Sequence, residues 1–266
     1  MISESLSGKR IAITGSTGFL GTALVERLLR NAPDCDLVLL VRPTRRNSAQ
    51  RRVEREIFRN DAFDVLRAQW GEEFEETCER RVSVVSGDVS NDGLGLNEQD
   101  RALFVSCDVV IHSAATVSFD SPLDSSIEIN LLGPNRVIQL LSEANVTPHL
   151  VAVSTCYVAG NRRGAANEEL LADTPFQVNV DWRAEVEAAR RTRADLDARS
   201  RTPEQLEGFR KGAREELGAA GLPMLAAKTE QLREAWVNDQ MVEAGRSRAT
   251  SLGWPDVYTY SKALGE

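Results

Sequence analysis

Residues 11–21 read IAITGSTGFLG, a short apolar run followed by glycines at intervals of three. Gly15 suits a tight turn, Gly18 lets the backbone approach a ligand, and Gly21 lets a helix pack closely on the preceding strand. A helix that begins here points free backbone N–H groups at an anion such as a pyrophosphate. The alternative is a turn that merely requires glycine. We predict a dinucleotide-phosphate site that comprises Gly15, Ser16, Thr17, Gly18, Phe19, Leu20 and Gly21.

The apolar runs around this motif alternate with amphipathic segments. After RIAIT (10–14) comes a helix-like stretch at 19–31, and further apolar runs follow: DLVLLV (36–41), RVSVVSG (81–87), DVVIHSAA (108–115) and HLVAVST (149–155). Strands that alternate with helices predict a parallel sheet covered on both faces. We therefore predict an α/β fold, a doubly wound parallel sheet of the Rossmann type, with five strands before residue 156.

Arginines follow the second predicted strand, at the position that selects between dinucleotide cofactors. A carboxylate there binds the ribose 2′-hydroxyl of NAD, but LLVRP places Arg42 at this point, followed by Arg45 and Arg46. Guanidinium groups suit a 2′-phosphate, which favours NADPH; the alternative is a helix start with solvated arginines. After the third strand, Asp88, with Val89 beside it, is expected either to accept from the adenine amino group or to cap the next turn.

The overall composition argues against several other kinds of site. The 266 residues carry a net charge of −8, whereas a nucleic-acid surface requires a basic face. Four cysteines without CxxC spacing and two histidines support neither a zinc site nor a disulfide framework. The leader has no apolar core and the run LVLLV is too short to span a bilayer, so we expect a cytoplasmic protein. Peripheral contact with a membrane is an alternative that the sequence does not exclude.

The stretch from Asn161 to Gly253 is dense in Ala, Glu and Arg and has almost no strand-like run. Pro203 and GLP (221–223) divide it into about three pieces, which predicts a helical insertion; the alternative is a disordered charged linker. Acidic residues precede basic ones by four positions, a spacing typical of ion pairs on solvated helices, at Glu187–Arg191, Asp195–Arg199, Asp197–Arg201 and Glu207–Lys211.

The segment WPDVYTYSKALGE (254–266) predicts the opening turns of a helix. Tyr258 and Lys262 are one helical turn apart and share a face, so the ammonium lies near the phenol and favours its ionised form. Tyr260 points elsewhere. Such a tyrosine donates a proton to a carbonyl oxygen, and the lysine also holds a nicotinamide ribose. Tyrosine and lysine at this spacing also occur by chance in many helices, so the motifs around the pair decide its meaning.

Five motifs, TGSTGFLG, GDVS, HSAATVSF, VSTCYVAGN and YTYSKALGE, occur in the order and strand context of the extended short-chain dehydrogenase/reductase family. With LLVRP, a basic helix and VSTCYVAGNRRG, the chain most resembles the fatty acyl-CoA reductase and thioester-reductase branch. The resemblance implies that Thr155, or as the less favoured alternative Ser154, joins Tyr258 in binding the substrate carbonyl. It also implies that Ser113, Ala114 and Ala115 face the cofactor.

The resemblance implies a further role for Asn130 in INLLGPNRV, which corresponds to an asparagine that braces the active site from a neighbouring helix. The family pattern continues Gly-Thr, whereas this chain has Gly133 and Pro134. Proline removes a helix N–H and is expected to kink that helix. His112 is expected to be a buried histidine at the end of a strand, because Tyr258 and Lys262 already supply the proton chemistry; an acid or base is the alternative.

The reaction that the resemblance implies is hydride transfer from NADPH to the carbonyl carbon of a fatty acyl thioester, carried by coenzyme A or by an acyl carrier. Tyr258 and Thr155 hydrogen-bond the developing oxyanion, and collapse expels the thiol to leave an aldehyde. A second reduction gives the alcohol. Two alternatives are a nucleotide-sugar epimerase or dehydratase, against which Arg42 and the long insertion speak, and a non-catalytic NADPH-binding protein.

Three parts of the chain follow from this comparison: an NADPH-binding Rossmann core at 1–160, the charged helical insertion at 161–253, and the start of the YxxxK helix at 254–266. We expect the insertion to cover the acyl chain or to dock on a membrane. Relatives form further strands and a substrate lobe from their carboxyl-terminal part, so we expect a fragment of a longer reductase. Its uncovered sheet flank leads us to expect weak cofactor binding and slow or absent thioester reduction.

Overall fold

The five apolar runs form one parallel sheet. Its strands are β1 (Arg10–Thr14), β2 (Asp36–Val41), β3 (Val82–Ser86), β4 (Val109–His112) and β5 (His149–Ala152), in the order β3-β2-β1-β4-β5. Ile11 of β1 pairs with Leu37 on one side and with Val109 on the other. The computed structural model describes residues 2–170, 173–174 and 180–266, so residues 171–172 and 175–179 of the predicted insertion lie outside the described residues. The predicted doubly wound, Rossmann-type sheet is confirmed, and its order reverses next to β1.

Helices connect the strands as predicted. The amino-terminal helices are α1 (Ile2–Ser5), α2 (Phe19–Asn31), α3 (Ala49–Arg52), α4 (Asp64–Trp70), α5 (Phe74–Arg81) and α6 (Glu98–Val105). The later ones are α7 (Leu123–Ser126), α8 (Leu132–Glu143), α9 (Trp182–Ser200), α10 (Pro203–Leu217), α11 (Leu225–Leu252) and α12 (Val257–Gly265). Two π-helical turns occupy Val53–Phe58 and Ile127–Leu131, and 3-10 turns lie at Asp61–Phe63, Gly71–Glu73, Asp92–Gly95, Cys156–Ala159 and Ala219–Met224.

The described residues divide into two compact units, of which the first comprises Met1–Ala115 and Leu132–Ser154 and the second Thr116–Leu131 and Thr155–Glu266. The first unit holds the sheet, and the second holds α7 and α9 to α12. These limits differ from the three parts that we drew from the sequence at residues 160 and 253, and that division stays a proposal.

The core of the first unit explains why β1 and β2 are apolar throughout. Ile11, Ile13, Leu37 and Leu39 are at most 1% exposed and pack in one hydrophobic cluster. A strand buried on both faces needs apolar side chains at successive positions, which is the pattern of a central parallel strand. The edge strand β5 differs, since His149, Val151 and Ala152 are exposed. The central strands are therefore covered on both faces of the sheet, as expected, whereas β5 is not.

Arg81 at the end of α5 joins separate parts of the first unit although it is only 6% exposed. Its guanidinium donates to the carbonyl oxygens of Leu29 at 2.8 Å, Ala32 at 2.6 Å and Cys35 at 3.1 Å. Two of these carbonyls lie at the end of α2, where helix carbonyls lack intrahelical partners. One side chain thus satisfies the end of a helix and the start of the next strand.

The second unit contains the three helical pieces that Pro203 and GLP predicted. Pro203 is the first residue of α10, where a proline costs no hydrogen bond, and GLP lies in the 3-10 turn before α11. The buried guanidinium of Arg233 in α11 donates to Asp197 of α9 at 2.6 Å and to Ser200 at 2.9 Å. These helices therefore pack on one another through charged as well as apolar contacts.

The ion pairs on these helices differ from the predicted spacing. Asp197 pairs with Arg201 at 3.0 Å as predicted, but Glu187 pairs with Arg190 instead of Arg191. Glu207 pairs with Arg210 and Arg214 instead of Lys211. Asp195 and Arg199 form no ion pair in the described part of the chain. Residues three and four apart are both neighbours on a helix, so sequence spacing alone does not choose between them.

The cysteines of the chain are free thiols in two different environments. Cys35, Cys78 and Cys107 are buried and Cys156 is exposed. Burial raises the pKa of Cys78 and of Cys107 to about 12, so both thiols stay protonated at neutral pH. In the described ranges, no helix has the length and apolar character that a membrane span needs, and no cluster of three metal-ligating side chains occurs.

Replacing Arg81 tests the contact between α2, α5 and β2. We expect Arg81→Met to lower the free energy of unfolding by roughly 3 kcal/mol, because buried carbonyls lose their donors. Urea denaturation followed by circular dichroism measures this change. Arg80→Met at the neighbouring exposed position is the matched control, and equal effects of the two substitutions would contradict the proposed contact.

Candidate active site

The glycine turn of the first unit has no room for side chains at two positions. Gly15 has a φ of +74°, and a Cβ there would lie 2.6 Å from the backbone nitrogen of Ala114. A Cβ on Gly21 would lie 2.1 Å from the carbonyl oxygen of Gly15. The N–H of Gly18 donates to the same oxygen at 3.0 Å. The tight turn and the close helix packing predicted for Gly15 and Gly21 are therefore confirmed.

The segment after β4 lies directly against this turn. The N–H of Ser113 donates to the Thr14 carbonyl and that of Ala114 to the Thr14 hydroxyl, both at 3.2 Å. Ser113, Ala114 and Ala115 are half-buried. The structure thus brings together the ends of β1 and β4, where doubly wound sheets bind ligands. That these residues contact a cofactor stays a prediction.

The start of α2 fits the phosphates of a dinucleotide. Gly18 stands before the helix without a side-chain cap, so the first N–H groups of α2 have no capping side chain. The Oγ atom of Ser16 is buried and has no hydrogen-bond partner within the described ranges. Phe19 is 97% exposed and Leu20 is 45% exposed. Uncapped donors, an unsatisfied hydroxyl and glycines that leave space for a ligand suit a pyrophosphate.

Arg42 and Asp88 lie together at the ends of β2 and β3. The Nη1 atom of Arg42 lies 3.6 Å from Oδ2 of Asp88, and the Arg42 side chain is 63% exposed. Oδ1 of Asp88 accepts from the N–H of Ser90 at 2.9 Å and from its hydroxyl at 2.7 Å. Asp88 therefore caps the turn that follows β3, which is the alternative role expected from the sequence. Its Oδ2 atom is directed to Arg42. Val89 is buried against Gly133, and its role at the cofactor stays a prediction.

Arg52 belongs to the same region and was not identified from the sequence. Its guanidinium donates to the Arg42 carbonyl at 2.7 Å and to the Thr17 hydroxyl at 3.4 Å, and it pairs with Glu56 at 2.6 Å. The hydrogen bond with Glu56 raises the pKa of Arg52 and lowers that of Glu56. Arg52 thereby connects the end of β2 to the glycine turn. The sequence indicates Arg52 only through its spacing of four residues from Glu56, which is also typical of an ordinary ion pair on a helix surface.

In the second unit, Tyr258 and Lys262 lie on α12. The helix begins after Asp256, whose carboxylate accepts from the N–H of Thr259 at 2.8 Å. Tyr258 is half-buried, and its ring meets the edge of Phe119 with centroids 5.8 Å apart and planes at 75°. Lys262 is 8% exposed, and burial lowers the pKa of its ammonium while Glu266 opposes this change. The shared helix face is observed, whereas the catalytic roles stay predictions.

Asn130 connects α12 to the loop that begins at Thr116. Its Nδ2 donates to Oγ of Ser261 at 2.9 Å and to the Thr116 carbonyl at 3.0 Å, while Oδ1 accepts from the Thr116 N–H at 3.0 Å. Ser261 in turn donates to the Tyr258 carbonyl at 3.1 Å. Asn130 thus contacts α12 through Ser261, a residue that sequence reasoning missed, while its role at an active site stays a prediction. The sign of Ser261 in the sequence is a single serine among residues on the buried face of α12.

The helix around Asn130 departs from regular geometry, as Pro134 predicts. Residues Ile127–Leu131 form a π-helical turn directly before α8. Pro134 has no N–H to donate to the carbonyl of Asn130, so the regular i to i−4 bond cannot form there. That carbonyl approaches α12, since a Cβ on Gly265 would lie only 2.5 Å from the Asn130 oxygen.

Thr155 lies at the start of the 3-10 turn Cys156–Ala159. Its Oγ1 accepts from the N–H of Tyr157 at 3.3 Å, and its own hydroxyl hydrogen is not used in that bond. Thr155 belongs to the second unit with Tyr258, whereas Ser154 belongs to the first. Local capping, the alternative role for this hydroxyl, is thus observed, and binding of a substrate carbonyl by Thr155 stays a prediction.

Tyr260 of the second unit and His112 of the first are both buried and hydrogen-bonded. Tyr260 is fully buried and donates to Glu185 at 2.7 Å, and burial together with this carboxylate raises its pKa. Glu185 also accepts from Arg248 at 3.0 Å, which lowers the pKa of the carboxyl group. His112 is 3% exposed, and its Nδ1 lies 2.9 Å from the Thr14 hydroxyl. His112 is therefore the buried histidine at a strand end that we predicted.

A glycine turn at the point where the strand order reverses defines the first unit as an NAD(P)-binding Rossmann domain, and the second unit carries a Tyr-x-x-x-Lys helix. The chain belongs to the male sterility protein family, whose model matches residues 13–266.

Similar proteins include several plant reductases. The alcohol-forming fatty acyl-CoA reductase of Simmondsia chinensis is 31% identical over 268 residues, which cover 100% of this chain and 49% of that protein. The chloroplastic fatty acyl-CoA reductase 2 of Arabidopsis thaliana is 30% identical over 263 residues, which cover 98% and 39%. The chain thus spans half or less of the length of these relatives. Among solved structures, the terminal R domain of the myxalamid PKS-NRPS pathway matches with a TM-score of 0.47 and 29% identity, over 60% of this chain and 38% of that one.

Substitution of Gly15 tests the glycine turn. We expect Gly15→Ala to weaken dinucleotide binding by about tenfold or more, because the new Cβ strains a positive φ and collides with the backbone of Ser113 and Ala114. Fluorescence titration with NADPH and with NADH measures the affinity. Gly8→Ala is the control, since Gly8 has a φ of +68° and its Cβ would meet nothing within 4 Å. Unchanged affinity in Gly15→Ala would contradict binding at this turn.

Proposed function

We propose that this protein is an NADPH-dependent reductase of fatty acyl thioesters, on coenzyme A or on an acyl carrier, which forms an aldehyde or an alcohol. The observation that carries the proposal is similarity along essentially the whole chain to proteins named fatty acyl-CoA reductases. The Tyr258 and Lys262 pair on α12 supports it, because reduction of a carbonyl needs a proton donor as well as a hydride.

The cofactor part of the proposal depends on the arginines after β2. NADPH, when bound, supplies the hydride. The Arg42 side chain is mostly exposed at the end of β2, and Arg45 and Arg46 are exposed and close to it in sequence, so a 2′-phosphate has charged donors available. Asp88 keeps Arg42 in place through Oδ2 and is available to the adenine amino group. The uncapped start of α2 and Ser16 hold the pyrophosphate.

The chemistry at the substrate carbonyl falls to residues of the second unit. The hydroxyl groups of Tyr258 and Thr155 donate hydrogen bonds to the carbonyl oxygen as it gains negative charge during reduction. Lys262 lies one helical turn from Tyr258 on the same face of α12, and its ammonium is buried. Asn130 positions α12 through Ser261. Breakage of the carbon–sulfur bond releases the thiol and leaves the aldehyde, and a second reduction of that aldehyde gives the alcohol.

Cofactor preference tests the role of Arg42. We expect NADPH to bind more tightly than NADH, and we expect Arg42→Ala to reduce the affinity for NADPH about tenfold while that for NADH stays unchanged. Fluorescence titration with each cofactor provides both values. Arg27→Ala, which removes an exposed arginine from α2, is the control. A preference for NADH in the unaltered chain would contradict NADPH as the cofactor and would favour the epimerase alternative.

Removal of one hydroxyl tests Tyr258. We expect Tyr258→Phe to lower the rate of hexadecanoyl-CoA reduction at least about 100-fold, because the proton donor is lost, and to leave NADPH affinity unchanged. NADPH consumption and product analysis measure the rate. Tyr157→Phe, at an exposed tyrosine, is the matched control. An unaffected rate would exclude Tyr258 as the donor, and turnover of a nucleotide sugar without any thioester reduction would replace the proposed function.

A further inference from the structure

The loop 116–121 of the second unit has a fixed shape although much of it is exposed. At its start, the side chain of Asn130 bonds both the N–H and the carbonyl of Thr116. The hydroxyl groups of Thr116 and Ser121 lie 3.1 Å apart and close the loop. Near its end, Asp120 accepts from Arg246 of α11 at 2.9 Å. The polar groups of the loop are thus engaged in bonds that hold the backbone in place.

Two apolar side chains project from this loop. Val117 is 66% exposed and Phe119 is 53% exposed, and the ring of Phe119 meets the Tyr258 ring edge-on at 5.8 Å. An aromatic ring that is held against another ring while half of it faces water is available to a ligand. The half-exposed ring of Phe119 therefore lies next to the ring of Tyr258, the residue to which we assign the carbonyl oxygen.

We propose that Val117 and Phe119 bind the hydrocarbon chain of the acyl substrate where it leaves the thioester carbonyl, and that they select apolar acyl chains. This inference rests on the proposed function. A carbonyl oxygen bonded to Tyr258 places the adjoining methylene groups within a few ångströms of the phenol, beside Phe119. Such groups gain from leaving water against an apolar surface, whereas the hydroxyl groups of a sugar would lose hydrogen bonds with water there without replacement.

Chain-length dependence tests this contact. We expect Phe119→Ala to lower kcat/KM for hexadecanoyl-CoA about tenfold more than for acetyl-CoA, because the acetyl group has no chain beyond its methyl group to lose the contact. Phe119→Leu, which keeps an apolar side chain, restores part of the preference. Val117→Ser changes the ratio in the same direction as Phe119→Ala. Leu170→Ala removes another exposed apolar side chain of the same unit and is the control.

The ratio of the two kcat/KM values separates substrate selection from a purely structural effect, which would lower both values equally. Equal losses with both substrates, or no loss in Phe119→Ala, would overturn the acyl-chain contact and leave the proposed reductase intact. Circular dichroism of each variant confirms that it is folded.

A binding measurement separates failure of this inference from failure of the proposed function. S-hexadecyl-coenzyme A, a thioether that cannot be reduced, is titrated into the unaltered chain and into Phe119→Ala. Weaker binding to the variant than to the unaltered chain would support the acyl-chain contact whether or not the chain turns over. Equal binding to both would overturn that contact and leave the reductase intact, whereas turnover of a nucleotide sugar without thioester reduction would contradict the reductase.

Discussion

The first unit depends on the close approach of two backbone segments at Gly15. Its positive φ turns the chain sharply from β1 into α2, and the absence of a Cβ lets the backbone after β4 come within van der Waals contact. Gly21 allows α2 to lie directly on this turn. This packing holds the start of α2 between the ends of β1 and β4. A side chain at either position would displace the segment after β4 or the start of α2.

Charged side chains join the helices of the second unit beside its apolar contacts. Arg233 meets Asp197 and Glu230, and Arg248 shares Glu185 with the hydroxyl of Tyr260. Buried charges are tolerated only when hydrogen bonds satisfy them, and removal of one partner leaves the other unpaired in a poor solvent. Such contacts restrict how α9, α11 and α12 can pack, so they fix the orientation of the helix that carries Tyr258 and Lys262.

The helices and strands could be predicted from the sequence, whereas most of the side-chain contacts between them could not. Apolar runs and glycine spacing predicted the strands, α2 and the Rossmann-type order, because burial and positive φ restrict which residues are allowed. The ion pairs of α9 and α10 were predicted less well, since Glu187 and Glu207 have several basic neighbours within reach. Ser261 and Phe119 could not be identified, because their partners Asn130 and Tyr258 are more than a hundred residues away in the chain. For the same reason the roles of the candidate site residues remain proposals.

The glycine turn has one further property that concerns protons. Residues 15–21 contain no ionisable side chain, so the polarity of this segment comes from the permanent dipoles of backbone amides, whose strength is the same in acid and in alkali. Lys262, in contrast, carries an ammonium group that titrates, and burial lowers its pKa. The backbone dipoles of the glycine turn therefore lie in the first unit, and the titratable ammonium of Lys262 lies in the second. The polarity of the glycine turn is consequently independent of pH, whereas the charge on Lys262 is not.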